Sequence, residues 1–248
     1  MKLAFSKPTR NADEQHNLFS RFHSFGFEGL QLKQSQYWGD VDHPERFIEQ
    51  WGQDAPAIAS GLIMQGLLDE AGIASLRRVF TFAQAVGSER IIFCHCQPRQ
   101  GLSRADIKSF AHLLSDLGKQ ARQHATSLSL HHHYNQPVMY REDFEVFFAS
   151  VDDQSLGLTV DTAHLIKSGI TDIAGILREY RQVVDTVHLK DISDGAFKLL
   201  GQGSIHFQPV FETLHAIDFS GWLCADEESE SELIRAMGTS AQFLRSGI

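Results

Sequence analysis

Four short apolar runs of this 248-residue chain each end in residues of the types that bind metal ions. The runs are LSLHHHYN, LGLTVDTAH, VVDTVHLKD and WLCADEES. The candidate residues at or just beyond their ends are His131, His133, Asp161, His164, His188 and Asp226. Imidazole nitrogens and carboxylate oxygens together suit a divalent ion such as Mn, Co or Zn better than Mg. If the four runs end at one place in the fold, these residues predict an active site around one divalent ion.

The triple histidine lies at the end of an apolar run. In a strand, residues two apart share a face, so His131 and His133 fall together while His132 points the other way. An isolated HHH is as compatible with a structural patch as with a site, but its place at a strand end favours function. We therefore take His131 as a candidate ligand and His133 as a candidate for proton transfer.

The next run places a carboxylate and an imidazole three residues apart. One helical turn after the strand brings Asp161 and His164 to the same side. The alternative is that Asp161 caps a helix and His164 stacks on it. Asp161 is predicted as a metal ligand, and His164 as a contact for the substrate.

The run VHLKD places a ligand beside a cation. His188 and Lys190 share a face, so a metal-binding imidazole would stand next to an ammonium that holds a substrate oxygen or assists proton transfer. Asp191 would lie at the strand edge, in direct contact with the site or hydrogen-bonded to a ligand. A solvated pair of Lys190 and Asp191 is the alternative.

Most acids of WLCADEESESE are expected to be solvated at the start of a helix. Asp226 ends the apolar run and is predicted as the ligand from this segment. Glu228 has the same parity, which makes it the reserve ligand and a further candidate for proton transfer. His95, at the end of IIFCH, is predicted to touch substrate, with a buried core histidine as the alternative.

The elements that must position these residues follow from an alternation of short strand-like and longer helix-like runs. This alternation is typical of βα units on a parallel sheet, and about 250 residues is the usual size of one (β/α)8 barrel. We predict an α/β fold with residues 1–248 forming one TIM barrel, whose strand ends open onto a single mouth. The predicted strands are 2–6, 29–32, 57–62, 90–95, 127–133, 156–161, 186–190 and 222–226.

Helix signals support this reading. LRRVFTFAQAVG predicts a helix with a buried stripe from Leu76 to Ala85 that ends at Gly87. Ser103 is placed to cap the next helix. Residues 33–54 lack clean periodicity and are assigned to a loop and helix, whose Trp38 and Trp51 would serve an interface of a homodimer or homotetramer, or a substrate lid.

Composition limits the partners. A formal charge of -9 without clustered Lys and Arg argues against nucleic acid. Cys94, Cys96 and Cys224 are odd in number, and two are too close for an ordinary structural bridge, which predicts a reducing, cytoplasmic location. The first residues turn polar too soon for a signal peptide, and no run approaches the ~18 apolar residues of a membrane span.

With its motifs in this order, the chain resembles the xylose-isomerase-like barrel superfamily of sugar isomerases, epimerases and dehydratases, which is related to the AP-endonuclease barrels. The resemblance rests on VDTAHL, VHLKD, GQGSIHF and GWLCADEES, and it spans nearly the whole chain. Within that group, LHHHYNQPVMYREDFEVFF is similar to the triple-histidine segment and following helix of inosose-dehydratase-like proteins.

The resemblance implies one divalent ion held by the fifth, sixth, seventh and eighth strands. Those ligand positions fall on His131, Asp161, His188 and Asp226. The sugar epimerases commonly have glutamate at the fifth and eighth positions, where two carboxylates shuttle protons on opposite faces of the sugar. The presence of His131 and Asp226 argues against that symmetric epimerisation.

The implied chemistry is isomerisation, epimerisation or dehydration of a small sugar, keto sugar or polyol. An ion bound to neighbouring substrate oxygens would stabilise the enediolate formed on proton loss, with His133, Lys190 and Glu228 as candidates for proton transfer. The triple histidine favours dehydration. The turn GQGS leaves phosphorylated and unphosphorylated substrates open.

Two rival functions remain. One is a sugar-binding barrel without turnover, because fold does not fix function. The other is an AP-endonuclease-like phosphodiesterase. That activity would need an Asp-x-His pair after the seventh strand, which DISDGAFKLLGQGSIHF lacks, and a glutamate on the fifth strand, where this chain has histidine.

Overall fold

The structure is a computed structural model that describes residues 1–152 and 154–248. Its strands are β1 (Lys2–Ser6), β2 (Gly29–Leu32), β3 (Gly61–Gly66), β4 (Arg90–His95), β5 (Ser127–His131), β6 (Gly157–Asp161), β7 (Val184–Leu189), β8 (Asp191–Ser193), β9 (Ala196–Lys198) and β10 (Trp222–Asp226). Eight of them form a closed parallel barrel in the order β1-β10-β7-β6-β5-β4-β3-β2. The predicted α/β barrel is confirmed.

Helices follow the barrel strands and cover the outside of the sheet. They are α1 (Ala12–Arg21), α2 (Pro44–Trp51), α3 (Ala55–Ile58), α4 (Glu70–Val86), α5 (Arg104–Gln123), α6 (Arg141–Phe148), α7 (Thr162–Lys167), α8 (Ile173–Glu179), α9 (Gln208–Ala216) and α10 (Leu233–Gly247). Among the described residues, no helix combines the length and the apolar character needed to cross a membrane.

Strand alternation divides the core into two parts. On β6, Leu158 and Val160 join the large apolar core between sheet and helices. Thr159 and Asp161 have the other parity and are also fully buried, inside the barrel. The same parity rule puts His188 of β7 and Asp226 of β10 on the inner face, so the polar strand ends converge.

The third strand was predicted too early in the chain. Residues 55–58 form the helical turn α3, with Pro56 in its first turn, and β3 begins at Gly61 rather than Ala57. Proline at a helix start is favourable because its missing N–H has no partner there anyway. The apolar run AIASGLIMQG carries no period that separates its helical half from its strand half.

The helix predictions are largely confirmed. Gly87 ends α4 with a left-handed φ of 75°, and Ser103 caps α5 in a capping box with Asp106. Ala85 was predicted in the buried stripe of α4 but is exposed. Strand β5 ends at His131, two residues earlier than predicted.

The segment after β2 folds as two 3-10 turns, Gln34–Gln36 and Trp38–Asp40, followed by α2. Trp38 and Trp51 are half-buried and pack against the main apolar core. The ring of Trp51 meets Phe19 edge to face at a centroid distance of 5.2 Å. The predicted loop and helix are therefore present.

A hairpin that the sequence pattern did not predict follows β7. Strands β8 and β9 pair antiparallel through a turn at Asp194 and Gly195, both with positive φ, of 54° and 77°. An Asp-Gly pair is a strong signal for this type of two-residue turn. The hairpin places Phe197 near the mouth of the barrel, with its ring centre 4.9 Å from the Lys190 Nζ.

Candidate metal centre and active site

Three buried side chains come together at the carboxyl ends of β5, β6 and β7. His131, Asp161 and His188 each offer one ligand atom within 4.8 Å of the others. Among residues 1–152 and 154–248 this is the one such group of three. Asp161 pairs directly with His188 in the sheet register, which fixes these two side by side. The structure thus brings together three of the four predicted ligands.

The polar atoms of this group are oriented for a cation. Within the described part of the chain, Asp161 Oδ2 and His188 Nδ1 are buried without a hydrogen-bond partner. Buried polar atoms normally have partners, and a role in binding an ion is one reason for an exception. The other oxygen of Asp161, Oδ1, accepts the backbone N–H of His164 at 2.9 Å, so this carboxylate also caps α7.

A glutamine fixes the proton of His188. Its Nε2 lies 2.6 Å from Gln31 Oε1 on β2. With Nε2–H donating to that oxygen, Nδ1 keeps a free lone pair on the side of Asp161. An outer partner of this kind is typical of metal-binding histidines.

Asp226 lies beside the group but is already paired. Its Oδ1 accepts from Lys33 Nζ at 2.6 Å, and its Oδ2 lies 2.7 Å from Lys190 Nζ. Glu228 bridges the same two lysines, at 2.7 Å to Lys33 and 2.9 Å to Lys190. We call these four residues the ion-pair ring. His188 Nδ1 is 3.6 Å from Asp226 Oδ2, which makes Asp226 the neighbour of the ligand group.

The charges of the site follow from these contacts. Burial raises the pKa of Asp161 and Asp226, but nearby lysines and histidines lower it by more. The net pKa of both carboxyl groups is below the usual value, so both stay ionised. Burial lowers the pKa of Lys33 and Lys190, but the acids around them raise it above the usual value. The ion-pair ring is therefore formally neutral, and Asp161 adds one negative charge.

The donor set fits a divalent ion. Burial lowers the pKa of His188, which keeps this imidazole neutral as a ligand must be. Burial also lowers the pKa of His131, but Cys94 and Asp161 raise it to about 10, so an ion must displace a proton there. Two imidazoles and one carboxylate match the ligand sets of Zn, Co and Mn rather than the oxygen shell of Mg.

The comparisons with known proteins agree with this geometry. The sequence model of the xylose isomerase-like TIM barrel family matches residues 63–247. The chain belongs to this family. The predicted family membership is confirmed, and the region matched contains most of β3, all of β4 to β10 and all the predicted site residues.

The named relatives and solved structures share low sequence identity with this chain. An inosose dehydratase from Clostridium botulinum is 31% identical over 142 residues, which cover 50% of this chain and 47% of the relative. The chain thus matches about half the length of this relative. The zinc-bound IolI protein has a TM-score of 0.80 at 17% identity over 100% of this chain and 98% of that one. The 3-keto-D-glucoside 4-epimerase from E. coli has a TM-score of 0.77 at 18% identity, with 99% of each chain covered.

The second and third histidines of the triple, His132 and His133, differ in their surroundings. His132 points away from the mouth, packs on Phe144 and accepts the Asp161 N–H at 2.9 Å, so it supports the site from behind. His133 stacks on His164 with ring centres 3.6 Å apart. Its Nδ1 lies 2.7 Å from the carbonyl of Tyr134, which places the proton on Nδ1 and leaves Nε2 as an acceptor. Burial lowers the pKa of His133 to about 4.

His95 lines a small pocket together with His131 and His133, but it is not one of the three residues at ligand spacing. It has the parity of Phe93, which belongs to the core outside the barrel, and its ring meets Phe110 of α5 at 4.5 Å. His95 is therefore buried against α5, and its contact with substrate stays a prediction. Its inward neighbour Cys94 packs with Ile63 and Ile92 inside the barrel.

Asp191 does not reach the mouth. Its two carboxylate oxygens accept the backbone N–H groups of Gly201, Gly203, Ile205 and Ile192. The GQGS turn therefore surrounds the carboxylate of Asp191, and the N–H groups of Gly201 and Gly203 in this turn donate to it. The predicted contact of Asp191 with a ligand or with the site is replaced by this structural role.

A wide cavity lies at the other end of the barrel. It measures about 610 Å³ and is lined by the amino ends of β4 to β7, including Arg90, Ser127 and Asp185. Active sites of TIM barrels lie at the carboxyl ends of the strands. Arg90 is engaged there with Ser127, Thr186 and the Asp185 carbonyl, which indicates a structural network.

Two site residues escaped the sequence reading, Gln31 and Lys33. Gln31 lies in β2 and Lys33 directly after it, at the start of the segment predicted as a loop and helix. Gly29, Gln31 and Lys33 alternate along that strand and so share its inner face. That alternation was the available signal.

Proposed function

We propose that this chain is a divalent-metal-dependent dehydratase of a small, unphosphorylated keto polyol of the inosose type. The observation that carries the proposal is the group of His131, Asp161 and His188, with Asp161 Oδ2 and His188 Nδ1 unpaired within the described chain and Lys190 Nζ 3.5 Å from Asp161 Oδ2. The names of the curated relatives and the triple histidine support the dehydration of an inosose over other reactions of the family.

The proposed ligands are His131, Asp161 and His188, with Asp226 as the fourth. A divalent ion held there would act as a Lewis acid toward a carbonyl or hydroxyl oxygen of the substrate and so make the neighbouring C–H bond more acidic. Mn, Co and Zn fit this donor set better than Mg.

His133 is the proposed base. It is neutral at pH 7 because its pKa is lowered, and its Nε2 lone pair is free while Nδ1–H is held by the Tyr134 carbonyl. Stacking on His164 fixes the plane of the ring. His164 is proposed to hold the His133 ring in place and, from there, to contact the substrate.

Lys190 is the proposed acid. Its ammonium is held among Asp161, Asp226 and Glu228, so it stays charged and can donate to an oxygen of the substrate. In the elimination, His133 takes the proton from carbon and the C–H electron pair forms a carbon–carbon double bond. The C–O bond at the next carbon breaks, and the leaving hydroxyl takes a proton from Lys190 to depart as water. Glu228, half-exposed beside Lys190, would return the proton from solvent.

Epimerisation is less well supported by the geometry. A two-base epimerase needs carboxylates on opposite faces of the sugar, but the fifth-strand position is His131 and Asp226 is held by two lysines. Phosphorylated substrates are disfavoured because the N–H groups of the GQGS turn are already used, two by Asp191 and two by the carbonyls of Leu199 and Ile192.

The test is turnover of inosose by the metal-loaded protein, followed as loss of water by mass spectrometry. We expect dehydration with Mn²⁺ or Co²⁺, none after EDTA, and none in Asp161→Ala. Aldose and ketose panels run in parallel report isomerisation and epimerisation, and an abasic-site oligonucleotide reports phosphodiesterase activity. Inosose binding without any turnover would favour the non-catalytic barrel, and equal turnover in Asp161→Ala would contradict the proposal.

A further inference from the structure

Lys33 is a charged residue of the mouth that no sequence motif of the site contains. It lies on the segment after β2, outside residues 63–247 matched by the family. Its side chain is only 16% exposed, and its Nζ contacts Asp226 Oδ1 and Glu228 Oε1. The partners of Lys33 are thus a proposed metal ligand and the acid next to it.

The two oxygens of Asp226 are divided between two cations. Lys33 holds Oδ1 at 2.6 Å and Lys190 lies 2.7 Å from Oδ2. Asp226 is also the predicted ligand that does not join the group of His131, Asp161 and His188 at ligand spacing. To bind an ion through Asp226, the site must therefore loosen its contacts with at least one lysine.

The charges around the site also disfavour binding of a divalent ion. The ion-pair ring is formally neutral, and Asp161 contributes one negative charge to the ligand group. A divalent ion would bring the site to a formal charge of one positive, with two ammonium groups close to it. At short range near a protein surface, like charges repel by several kcal/mol, so each ammonium lowers the affinity for the ion.

We propose that Lys33 competes with the divalent ion for Asp226 and holds down the metal affinity of this site. This inference rests on the proposed function, because it assumes an ion bound by His131, Asp161 and His188. If the ion takes Asp226 through Oδ1, the ammonium of Lys33 is released from one of its two acids and has donor capacity for a substrate oxygen. If it takes Oδ2, the oxygen 3.6 Å from His188 Nδ1, Lys33 stays on Oδ1 and still withdraws negative charge from the carboxylate that the ion shares. Lys33 thus links occupation of the metal site to the charge offered to the substrate.

Lys33 is a better probe of this competition than Lys190. Lys190 also contacts Asp161 and is the proposed acid, so its removal changes several roles at once. Within residues 1–152 and 154–248, the ammonium of Lys33 pairs with the two acids of the ring alone. Lys33→Met keeps an unbranched side chain as far as Cε and removes the ammonium with its charge and hydrogen bonds.

The experiment is calorimetric titration of EDTA-stripped full-length protein with Mn²⁺ alone at pH 7.5. We expect Lys33→Met to bind Mn²⁺ at least about tenfold more tightly than the wild type, because one repelling charge and one competitor are gone. Lys33→Arg keeps the charge and is expected to stay near the wild type. Lys108→Met, on the exposed surface of α5, is the matched control and is expected to change nothing.

Each outcome decides the question. Equal or weaker Mn²⁺ binding in Lys33→Met would overturn the competition while leaving the proposed metal site intact. Absence of Mn²⁺ binding in both wild type and variant would overturn the metal site itself and this inference with it. If thermal unfolding shows that Lys33→Met is not folded, Lys33→Gln is titrated in its place and held to the same expectation.

Discussion

At the scale of single residues, the site depends on which nitrogen of each histidine carries its proton. Gln31 holds the proton of His188 on Nε2, and the Tyr134 carbonyl holds that of His133 on Nδ1. The two rings therefore offer lone pairs for different tasks, one to an ion and one to a substrate proton. Residues that bind neither ion nor substrate decide this chemistry.

The first prediction concerns Gln31. Replacing it by leucine removes the acceptor for the His188 Nε2–H, and loss of such an outer partner typically weakens metal binding by about 10 to 100-fold. Gln31→Glu keeps an acceptor oxygen and adds a negative charge, so it is expected to bind metal at least as tightly as the wild type does. Titration with Mn²⁺ measures both variants. If Gln31→Leu binds as tightly as Gln31→Glu, the glutamine does not orient the ligand.

The second prediction concerns His133. Its replacement by asparagine is expected to lower kcat for inosose by about 10² to 10⁴-fold, the range of a lost general base. Metal binding is expected to stay at the wild-type level, because His133 is not a proposed ligand. His16→Asn on α1, a histidine whose ring meets Trp51, serves as the control. Unchanged turnover in His133→Asn would assign the base elsewhere.

At the scale of elements, the hairpin and the turn after β7 are organised by a buried carboxylate. Asp191 is 1% exposed and accepts N–H groups from residues one to fourteen positions ahead of it in the chain. The sequence fragment VHLKD placed this acid at a strand edge but did not show which way it points. Its role depends on the path of residues 199–205, which local sequence does not determine.

The third prediction follows for Asp191. Asp191→Asn turns one acceptor oxygen into a donor that faces backbone N–H groups, so we expect a loss of about 3 kcal/mol in the free energy of unfolding. The matched variant is Asp194→Asn in the exposed turn of the hairpin, where asparagine also accepts positive φ, and a change below about 0.5 kcal/mol is expected. Urea unfolding compares the two. Similar losses in both would show that the carboxylate does not anchor the turn.

The elements themselves were largely predictable, and the failures have physical reasons. Seven strands and the caps at Gly87 and Ser103 follow from apolar periodicity and turn chemistry. The run at 55–66 was ambiguous because its apolar residues follow no period that separates a helix from a strand. Lys33 was missed because a lysine after an apolar strand has no metal-ligand signature, although its parity marks the inner face.

At the scale of the whole molecule, the closed barrel carries several neutral buried histidines. One of them is His95, which has no proposed role in proton transfer or metal binding and packs between β4 and α5. Burial lowers its pKa to about 4, well below the ordinary value of a histidine. The unfolded chain takes up a proton at this position near pH 6.5 and the folded chain does not, so acidification favours unfolding.

The fourth prediction is the pH dependence of stability. Between the unfolded value near 6.5 and the folded value of about 4, stability falls as the pH falls, and His95 accounts for about 2 kcal/mol of that fall by pH 5. His95→Gln removes this titration while the other histidines remain. Urea unfolding in EDTA at pH 7.5 and pH 5 measures the difference. An equal loss of stability in wild type and His95→Gln would mean that His95 is not held neutral by the fold.

The barrel explains how residues 131 to 226 meet, because parallel strands bring their carboxyl ends to one edge whatever their separation in the chain. Apolar runs with polar ends predicted His131, Asp161 and His188 together for that reason. Side-chain pairings across the mouth, above all the lysines on Asp226, depend on three-dimensional packing that no local pattern contains.

The central claim is that His131, Asp161 and His188 bind one divalent ion. The most direct measurement is anomalous diffraction from crystals soaked in Zn²⁺ or Mn²⁺, recorded on both sides of the metal absorption edge. The account predicts one peak per chain at about 2.0–2.2 Å from the imidazole nitrogens of His131 and His188 and an oxygen of Asp161. A peak bound elsewhere, or none at this group while the protein binds metal in solution, would contradict it.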